Sequence, residues 1–339
     1  MRALPSAGML SEIPTYSSFA HAGERLVDRL VRDAEFERRA LVASLRATPA
    51  SIPPKYFYDA LGCALYGAIC ELPEYYPTRT EAAIFAHHRL DIATLIGRGK
   101  QLVDLGAGDC GKAAQWLPWL APSRYVAVDI ASGELERALA RLTCDFPEIE
   151  VVGIVADFTH ALDLRTDLGN EPATFFYPGS SIGNFTPDEA LGLLRSIHAH
   201  VVDRPGSGLL IGVDTRKDSR RLVAAYDDAL GVTAAFNRNV LNHVNRILGS
   251  DFDPRHFAHV AFFNDTHSRI EMHLEALEAQ VVRIDGAPRR FECGERIHTE
   301  NSYKYAPDEF AVLLRDGGFA RVTRWSDPAG DFAVFHATA

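Results

Sequence analysis

Short β-rich segments alternate with helical segments through the centre of this 339-residue chain. Such alternation is typical of βαβ units, in which parallel strands form one sheet and helices cover both of its faces. Strands are predicted at Gln101–Leu105, Arg124–Ile130, Glu150–Val155, Ala173–Tyr177 and Gly208–Asp214, with helices at Glu134–Leu142 and Pro187–Val201. The central part of the chain is therefore expected to be an α/β unit built on a parallel sheet.

The pattern changes on either side of this centre. Apolar residues at helical spacing predict helices at Gly23–Arg46, Arg220–Leu248 and Pro307–Asp316. Strand-like runs at His259–Asn264 and Arg269–Leu274 predict a hairpin around residues 265–268, and those at Arg321–Trp325 and Phe332–His336 can return to the edge of the first sheet. We therefore predict a seven-stranded sheet from residues 79–214 and 303–339. An inserted α+β lobe is predicted from residues 22–78 and 215–302, and residues 1–21 are expected to be a mobile arm.

Composition narrows the classes of function. The net charge of −10 argues against nucleic-acid binding, which needs a basic surface. The five cysteines never occur as C-x-x-C, so neither a disulfide framework nor a metal site is expected. The sequence contains neither a signal-peptide pattern nor an apolar run of membrane-spanning length. We expect a cytoplasmic protein that binds no membrane.

A glycine-rich turn follows the first predicted strand, in the segment Val103–Lys112 (VDLGAGDCGK). Gly106, Gly108 and Gly111 match G-x-G-x-x-G, where missing side chains let backbone N–H groups approach a ligand. Asp129 ends the next strand, where a carboxylate can bind ribose hydroxyls. Because NAD and S-adenosylmethionine both contain ribose, these features alone fit either cofactor.

Two further loops favour S-adenosylmethionine. Asp157 and Phe158 follow the third strand, where methyltransferases commonly place a carboxylate on the adenine amino group and an apolar side chain against the ring. Gly179 begins the small-residue loop GSSIGN after the fourth strand. Ligands of open α/β sheets bind at this carboxyl edge.

Several longer strings, in this order, resemble the histidine-specific Nα-methyltransferases of ergothioneine biosynthesis. The resemblance runs from about residue 48 to Asp331 and is carried by PPKYFYD (53–59), LPEYYPTRTE (72–81), GSSIGN (179–184), AYDD (225–228), FNRN (236–239) and TENSYK (299–304). It implies a class I, Rossmann-like methyltransferase domain joined to a substrate-binding lobe.

The resemblance also implies a role for individual residues. The cofactor S-adenosylmethionine would be held by Gly106, Gly108, Lys112, Asp129, Asp157, Phe158 and Gly179. For L-histidine, Asn184 and Tyr226 would bind the carboxylate, Glu300 and Ser302 the imidazole, and Tyr58 and Tyr75 would line the site around the amine. Tyr58 and ordered water would relay the amine proton, and no metal would take part. Three transfers would give the trimethylated betaine hercynine, and the enzyme is expected to be a monomer.

Alternatives remain open at this point. The substrate of the same reaction could be another free amino acid, such as tryptophan. A nicotinamide-dependent oxidoreductase shares the glycine turn, although the sequence shows no hydride-transfer constellation. A cofactor-binding protein without catalytic activity is the third hypothesis.

Overall fold

The computed structural model describes residues 24–29, 34–159 and 162–339, so the predicted arm at residues 1–21 lies outside the described part. The first elements are β1 (Glu24–Asp28), α1 (Ala34–Arg46), β2 (Ala50–Ser51), α2 (Ala60–Cys70), α3 (Tyr76–His87) and α4 (Arg89–Ile96). The central elements are β3 (Gln101–Leu105), α5 (Gly111–Ala114), α6 (Leu117–Leu120), β4 (Arg124–Asp129), α7 (Ser132–Asp145), β5 (Glu150–Val155), β6 (Ala173–Tyr177), α8 (Pro187–Val201) and β7 (Gly208–Asp214).

The remaining elements are α9 (Ser219–Ala224), α10 (Val232–Leu248), β8 (Phe257–Asn264), β9 (Arg269–Ala276), β10 (Gln280–Ile284), β11 (Ala287–Phe291), β12 (Arg296–Tyr303), α11 (Pro307–Asp316), β13 (Arg321–Ser326) and β14 (Phe332–Thr338). Three 3-10 turns connect them, at Pro54–Phe57, Ser181–Asn184 and Pro254–His256.

The larger sheet has the strand order β1-β5-β4-β3-β6-β7-β14-β13. Strands β1 and β3 to β7 are parallel, whereas β14 and β13 are antiparallel additions at one end. Alternate residues of β4 pack into different cores, Val126 and Val128 into one, Tyr125 and Ala127 into the other. Because strand side chains alternate between faces, this sheet is covered on both sides, as its continuous apolar strands predict.

Among the described residues the sheet has eight strands, one more than the seven predicted. The additional strand, β1, lies in the segment that sequence reasoning assigned to a helix at 23–46 and to the lobe. It pairs in parallel with β5, and the Leu26 side chain packs over Gly153, where a Cβ would come within 2.8 Å of Leu26 Cδ1. Pairing with a distant strand therefore overrides the local helical spacing at Glu24–Asp28, whereas Ala34–Arg46 forms α1 as the spacing predicts.

The predicted helix at 220–248 is also divided. Asp228 accepts hydrogen bonds from the backbone N–H groups of Val232 and Thr233, and Gly231 adopts a left-handed conformation with φ of 74°. These interactions begin α10 as a new helix. The division brings Tyr226, between α9 and α10, against the C-terminal end of β12.

The smaller unit contains a four-stranded sheet with the order β2-β12-β9-β8 and the hairpin β10-β11. Strands β8 and β9 form the predicted antiparallel hairpin. Helix α10 covers the sheet, and one apolar core joins it to α1, α2 and the 3-10 turn at Pro54–Phe57. The end of β12 reaches the larger sheet, where the Tyr305 N–H donates to the Asp214 carbonyl at 3.2 Å. The lobe therefore meets the larger sheet at the carboxyl end of β7.

Candidate active site

Four adjacent parallel strands place the predicted cofactor residues along one edge of the sheet. Gly106 and Gly108 follow β3 with φ of 68° and 52°. Asp129 ends β4 and receives hydrogen bonds of 2.8 Å from the N–H groups of Gly108 and Ala131. The glycine turn and the carboxylate are thus fixed to each other, as a ribose-binding site requires.

Asp157 follows β5 and remains a carboxylate. Burial favours its neutral form, but hydrogen bonds from Thr159 and Lys55 outweigh burial and lower the pKa of Asp157. Lys55 Nζ lies 3.1 Å from Asp157 Oδ2. Phe158 meets Tyr177 edge-on, with ring centroids 5.9 Å apart. An acceptor for an amino group and an aromatic surface therefore stand side by side.

Lys112 and Gly179 are joined by Glu81, a buried residue of α3 that was not among the predicted site residues. Glu81 accepts from the Gly179 N–H at 2.6 Å and from Lys112 Nζ at 2.7 Å. A Cβ on Gly179 would lie 2.9 Å from Lys112 Nζ, so a side chain at this position would displace the ammonium. Glu81 is the last residue of the string LPEYYPTRTE, so this string was the sequence signal that could have identified Glu81 as a site residue.

A cavity opens beside Gly179, between the larger sheet and the lobe. All six predicted substrate residues line it, namely Tyr58, Tyr75, Asn184, Tyr226, Glu300 and Ser302. Tyr66, Thr233, Phe236 and Met272 also line it and were not among the predicted substrate residues. Taken alone, Phe236 and Met272 carry little sequence signal because apolar side chains are typical of an ordinary core.

Aromatic rings form one side of the cavity. Tyr66 meets Tyr58 and Tyr75 edge-on, with centroids 6.0 and 6.5 Å apart, and Tyr75 meets Tyr226 at 6.1 Å. Burial raises the pKa of each of these four phenols, so all stay neutral near pH 7. Neutral aromatic faces suit an amine that becomes a methylated cation.

Polar groups form another part of the lining, which we call the polar side. Burial raises the pKa of Glu300 to about 7, although Lys304 and a hydrogen bond with Asn184 oppose the rise. Tyr226 Oη and Ser302 Oγ lie 2.8 Å apart. Glu300 and Ser302, two residues apart on β12, thus face one cavity, as their spacing on an extended segment predicts.

The residues at the sheet edge fit S-adenosylmethionine chemically. A glycine turn permits close approach, Asp129 suits ribose, Asp157 and Phe158 suit adenine, and the Lys112 ammonium suits a carboxylate. In the described ranges, no group of three or more His, Cys, Asp or Glu residues is arranged to hold a metal ion. No described helix is long and apolar enough to cross a membrane.

This sheet and this edge define a class I, Rossmann-like methyltransferase that uses S-adenosylmethionine. A sequence profile described as "Histidine-specific methyltransferase, SAM-dependent" matches residues 37–339, and the chain belongs to that family. The family match favours S-adenosylmethionine over the nicotinamide alternative. It also confirms the resemblance found in the sequence.

Characterised relatives extend over most of the chain. A histidine N-alpha-methyltransferase of Mycolicibacterium smegmatis is 42% identical over 307 residues, covering 89% of this chain and 94% of the relative. One of Mycobacterium tuberculosis is 39% identical, covering 88% and 93%. A 4-dimethylallyltryptophan N-methyltransferase of Trichophyton verrucosum is 25% identical, covering 90% and 95%.

Proposed function

We propose that this enzyme transfers methyl groups from S-adenosylmethionine to the α-amino nitrogen of L-histidine. Three transfers would give Nα,Nα,Nα-trimethylhistidine, hercynine, an intermediate of ergothioneine biosynthesis. The observation that carries the proposal is the pairing of Glu300 with Ser302 in a cavity beside the cofactor edge. The substrate named by the two mycobacterial relatives supports it.

The cavity can recognise an imidazole at both ring nitrogens. In its ionised form, Glu300 accepts a hydrogen bond from a ring N–H, and the Ser302 hydroxyl donates to the ring nitrogen without a proton. An isostere lacking these nitrogens would leave both buried groups unpaired, which is costly. Asn184 and Tyr226 offer neutral donors to the substrate carboxylate without adding charge.

The same binding mode directs the amine toward the aromatic side. S-Adenosylmethionine supplies a methyl carbon on a positively charged sulfur. Before each transfer the substrate ammonium loses one proton. The neutral amine then forms the new N–C bond, and the C–S bond breaks with its electron pair going to sulfur. We expect the Tyr58 hydroxyl and ordered water to relay that proton to solvent. Most of the acceleration is then expected from positioning the reactants.

We further propose that residues 79–214 and 303–339, together with β1, hold the cofactor. Residues 34–78 and 215–302 then form the substrate lobe, and the enzyme acts as a cytoplasmic monomer on a free small molecule. All five cysteines are unpaired, which agrees with a reducing compartment. Light scattering during gel filtration should give the monomer mass of 37.3 kDa. A dimer mass would contradict the monomer.

The direct experiment is mass spectrometry after incubation with isotopically labelled cofactor and each of the twenty amino acids. Histidine should gain three labelled methyl groups, with three cofactor molecules consumed for each product. A product that stops at one methyl group would contradict the trimethylation. Methylation of tryptophan in preference to histidine would replace the proposed substrate by the same-class alternative.

Glu300→Ala tests the imidazole contact in the same assay. It should lower kcat/KM for histidine by roughly 100-fold, because it removes a charged hydrogen-bond partner of the ring. Binding of S-adenosylhomocysteine, measured by calorimetry, is the control and should be unchanged. A protein that binds S-adenosylhomocysteine but methylates no amino acid would instead support the non-catalytic hypothesis.

A further inference from the structure

Lys304 lies behind the polar side of the cavity, outside its lining. Its residue surface is only 2% exposed. The ammonium lies 3.0 Å from Tyr226 Oη, 2.8 Å from Ser302 Oγ and 2.9 Å from Asp214 Oδ2. An ammonium carries three protons, so each of these oxygens can receive one.

This arrangement determines what the two hydroxyls can donate. Each hydroxyl has one proton, and the 2.8 Å separation of Tyr226 and Ser302 allows one of them to donate to the other. Without a further donor, that bond would consume one of the two protons. Because Lys304 donates a hydrogen bond to both oxygens, each oxygen already accepts one and the two hydroxyls do not have to bond to each other. Both protons are then available to a ligand.

The position of Lys304 is itself fixed by buried partners. Asp214 receives a hydrogen bond of 2.8 Å from the Tyr76 hydroxyl and is also paired with Lys217. Asp214 is the last residue of β7, a strand of the larger sheet that is buried along its whole length. The direction of the Lys304 ammonium is therefore set by the larger sheet.

We propose that Lys304 is a positioning residue for substrate recognition. By holding both hydroxyl oxygens, it directs the Tyr226 proton toward the substrate carboxylate and the Ser302 proton toward the unprotonated ring nitrogen. This inference rests on the proposed histidine substrate. It assigns to Lys304 a contribution to histidine affinity that requires no contact with histidine.

The test compares Lys304→Met with Lys217→Met as a matched control. Both variants remove a buried ammonium from Asp214, but the described hydrogen bonds of Lys217 go to Tyr76, Asp214 and Thr215, and none of these three lines the cavity. Calorimetry in the presence of S-adenosylhomocysteine should show a histidine Kd raised about 10- to 100-fold in Lys304→Met. In Lys217→Met the Kd should stay within about threefold of wild type.

A double-mutant cycle with Ser302→Ala distinguishes positioning from general destabilisation. If Lys304 acts through Ser302, the double variant should bind histidine little more weakly than the weaker single variant, because the two residues serve one interaction. Additive losses would overturn the proposal. A Lys304→Met variant that binds histidine within threefold of wild type would overturn it as well.

Binding of S-adenosylhomocysteine reports whether each variant is folded. If Lys304→Met does not bind S-adenosylhomocysteine, the double-mutant cycle is run with Lys304→Gln instead, whose neutral amide can reach fewer acceptors. Additive losses, or histidine binding within threefold of wild type, would again overturn the proposal. Failure of the wild-type enzyme to bind histidine would contradict the proposed function instead. The two failures are therefore distinguishable.

Discussion

In the proposed function, recognition of histidine depends most directly on the carboxyl group of Glu300. Burial raises its pKa to about 7, so its charge changes within the physiological pH range. The ionised form accepts a hydrogen bond from an imidazole N–H, whereas the protonated form has lost one of its acceptor sites. Histidine binding should therefore report the ionisation of this side chain.

We predict that lowering the pH from 8 to 6 weakens histidine binding more in wild type than in Glu300→Gln. The additional loss should be about tenfold, because Glu300 is mostly protonated one pH unit below its pKa. Free histidine also titrates in this range, but it affects binding to both proteins equally, so the difference between the two proteins reports Glu300 alone. Calorimetry across this range provides the measurement. Parallel pH profiles would show that Glu300 does not bind the ring in its ionised form.

The same ionisation, which favours histidine binding, should lower the stability of the folded protein. A carboxyl whose pKa is raised in the folded state stabilises the protein below its unfolded value of 4.5, and this stabilisation is lost as the pH rises through about 7. Ionised Glu300 therefore costs stability at pH 8, on the order of 3 kcal/mol at most. Glu300→Gln should raise the melting temperature at pH 8 more than at pH 5. An equal change at both pH values would contradict this linkage.

Tyr58 is expected to contribute to proton transfer as a neutral phenol. Its pKa is raised well above the ordinary value by burial, so it cannot serve as the final proton acceptor. Tyr58→Phe should lower kcat by about 10- to 100-fold while leaving the histidine Kd within threefold. Tyr66→Phe, on the neighbouring ring, should lower kcat less. Equal losses in both variants would assign Tyr58 a packing role.

At the scale of elements, the 3-10 turn Ser181–Asn184 carries Asn184 to its place beside Glu300. The turn packs directly on β12, and a Cβ on Gly183 would lie 2.9 Å from the Tyr303 carbonyl oxygen. That oxygen belongs to the backbone and cannot move away without distorting the strand. The absence of a side chain at Gly183 thus allows the turn from the larger sheet to contact the lobe.

Gly183→Ala is therefore predicted to weaken histidine binding by at least tenfold, because it separates Asn184 from Glu300. Gly192→Ala is the matched control, since its Cβ would meet no atom within 4 Å and alanine favours the interior of α8. The control should bind histidine like wild type and melt at the same or a higher temperature. Unchanged histidine binding in Gly183→Ala would show that the turn adapts.

The elements that sequence reasoning predicted are those with strong local signals. The five central strands are buried except at the ends of β4 and the first residue of β5, and their apolar runs and the glycine turn are readable without tertiary information. Strand β1 was mistaken for a helix because its apolar spacing is helical and its partner β5 lies more than a hundred residues away. Strand β2 has only two residues, too few to establish a period. Most residues of the hairpin β10-β11 are not buried, so its strands lack the continuous apolar run of the central strands.

The residues of the candidate site also divide into those with a local sequence signal and those without one. Tyr58, Asn184 and Glu300 were predictable because they occur within strings that resemble a known family. Lys304 lies in one of those strings, but its role depends on Asp214, which is ninety residues earlier in the sequence. Contacts between distant segments leave no local pattern, so they appear only in the folded structure.

At the scale of the whole molecule, the N-terminal segment connects the two halves of the site. Lys55 Nζ lies 2.7 Å from Glu37 Oε2 in α1 and 3.1 Å from Asp157 Oδ2 at the cofactor edge. It belongs to the 3-10 turn that immediately precedes Tyr58, and Tyr58 lines the substrate cavity. One turn of backbone therefore links Asp157, the carboxylate proposed to bind adenine, to the substrate cavity.

This link predicts that the two ligands bind cooperatively through Lys55. S-Adenosylhomocysteine should raise histidine affinity in wild type by a factor of about 5 to 150, the usual range of coupling between sites. Lys55→Met should reduce that factor toward one, because Asp157 then no longer holds the turn that carries Tyr58. Lys100→Met is the control, since Lys100 contacts the Gly206 carbonyl and precedes β3 at the opposite edge of the sheet.

Calorimetry in both orders of addition checks the result internally, because thermodynamic linkage requires histidine to raise the affinity for S-adenosylhomocysteine by the same factor. A coupling factor that Lys55→Met leaves unchanged would show that the cofactor acts on the substrate cavity by another route, for which the contact of Glu81 with Gly179 and Lys112 is the next to test.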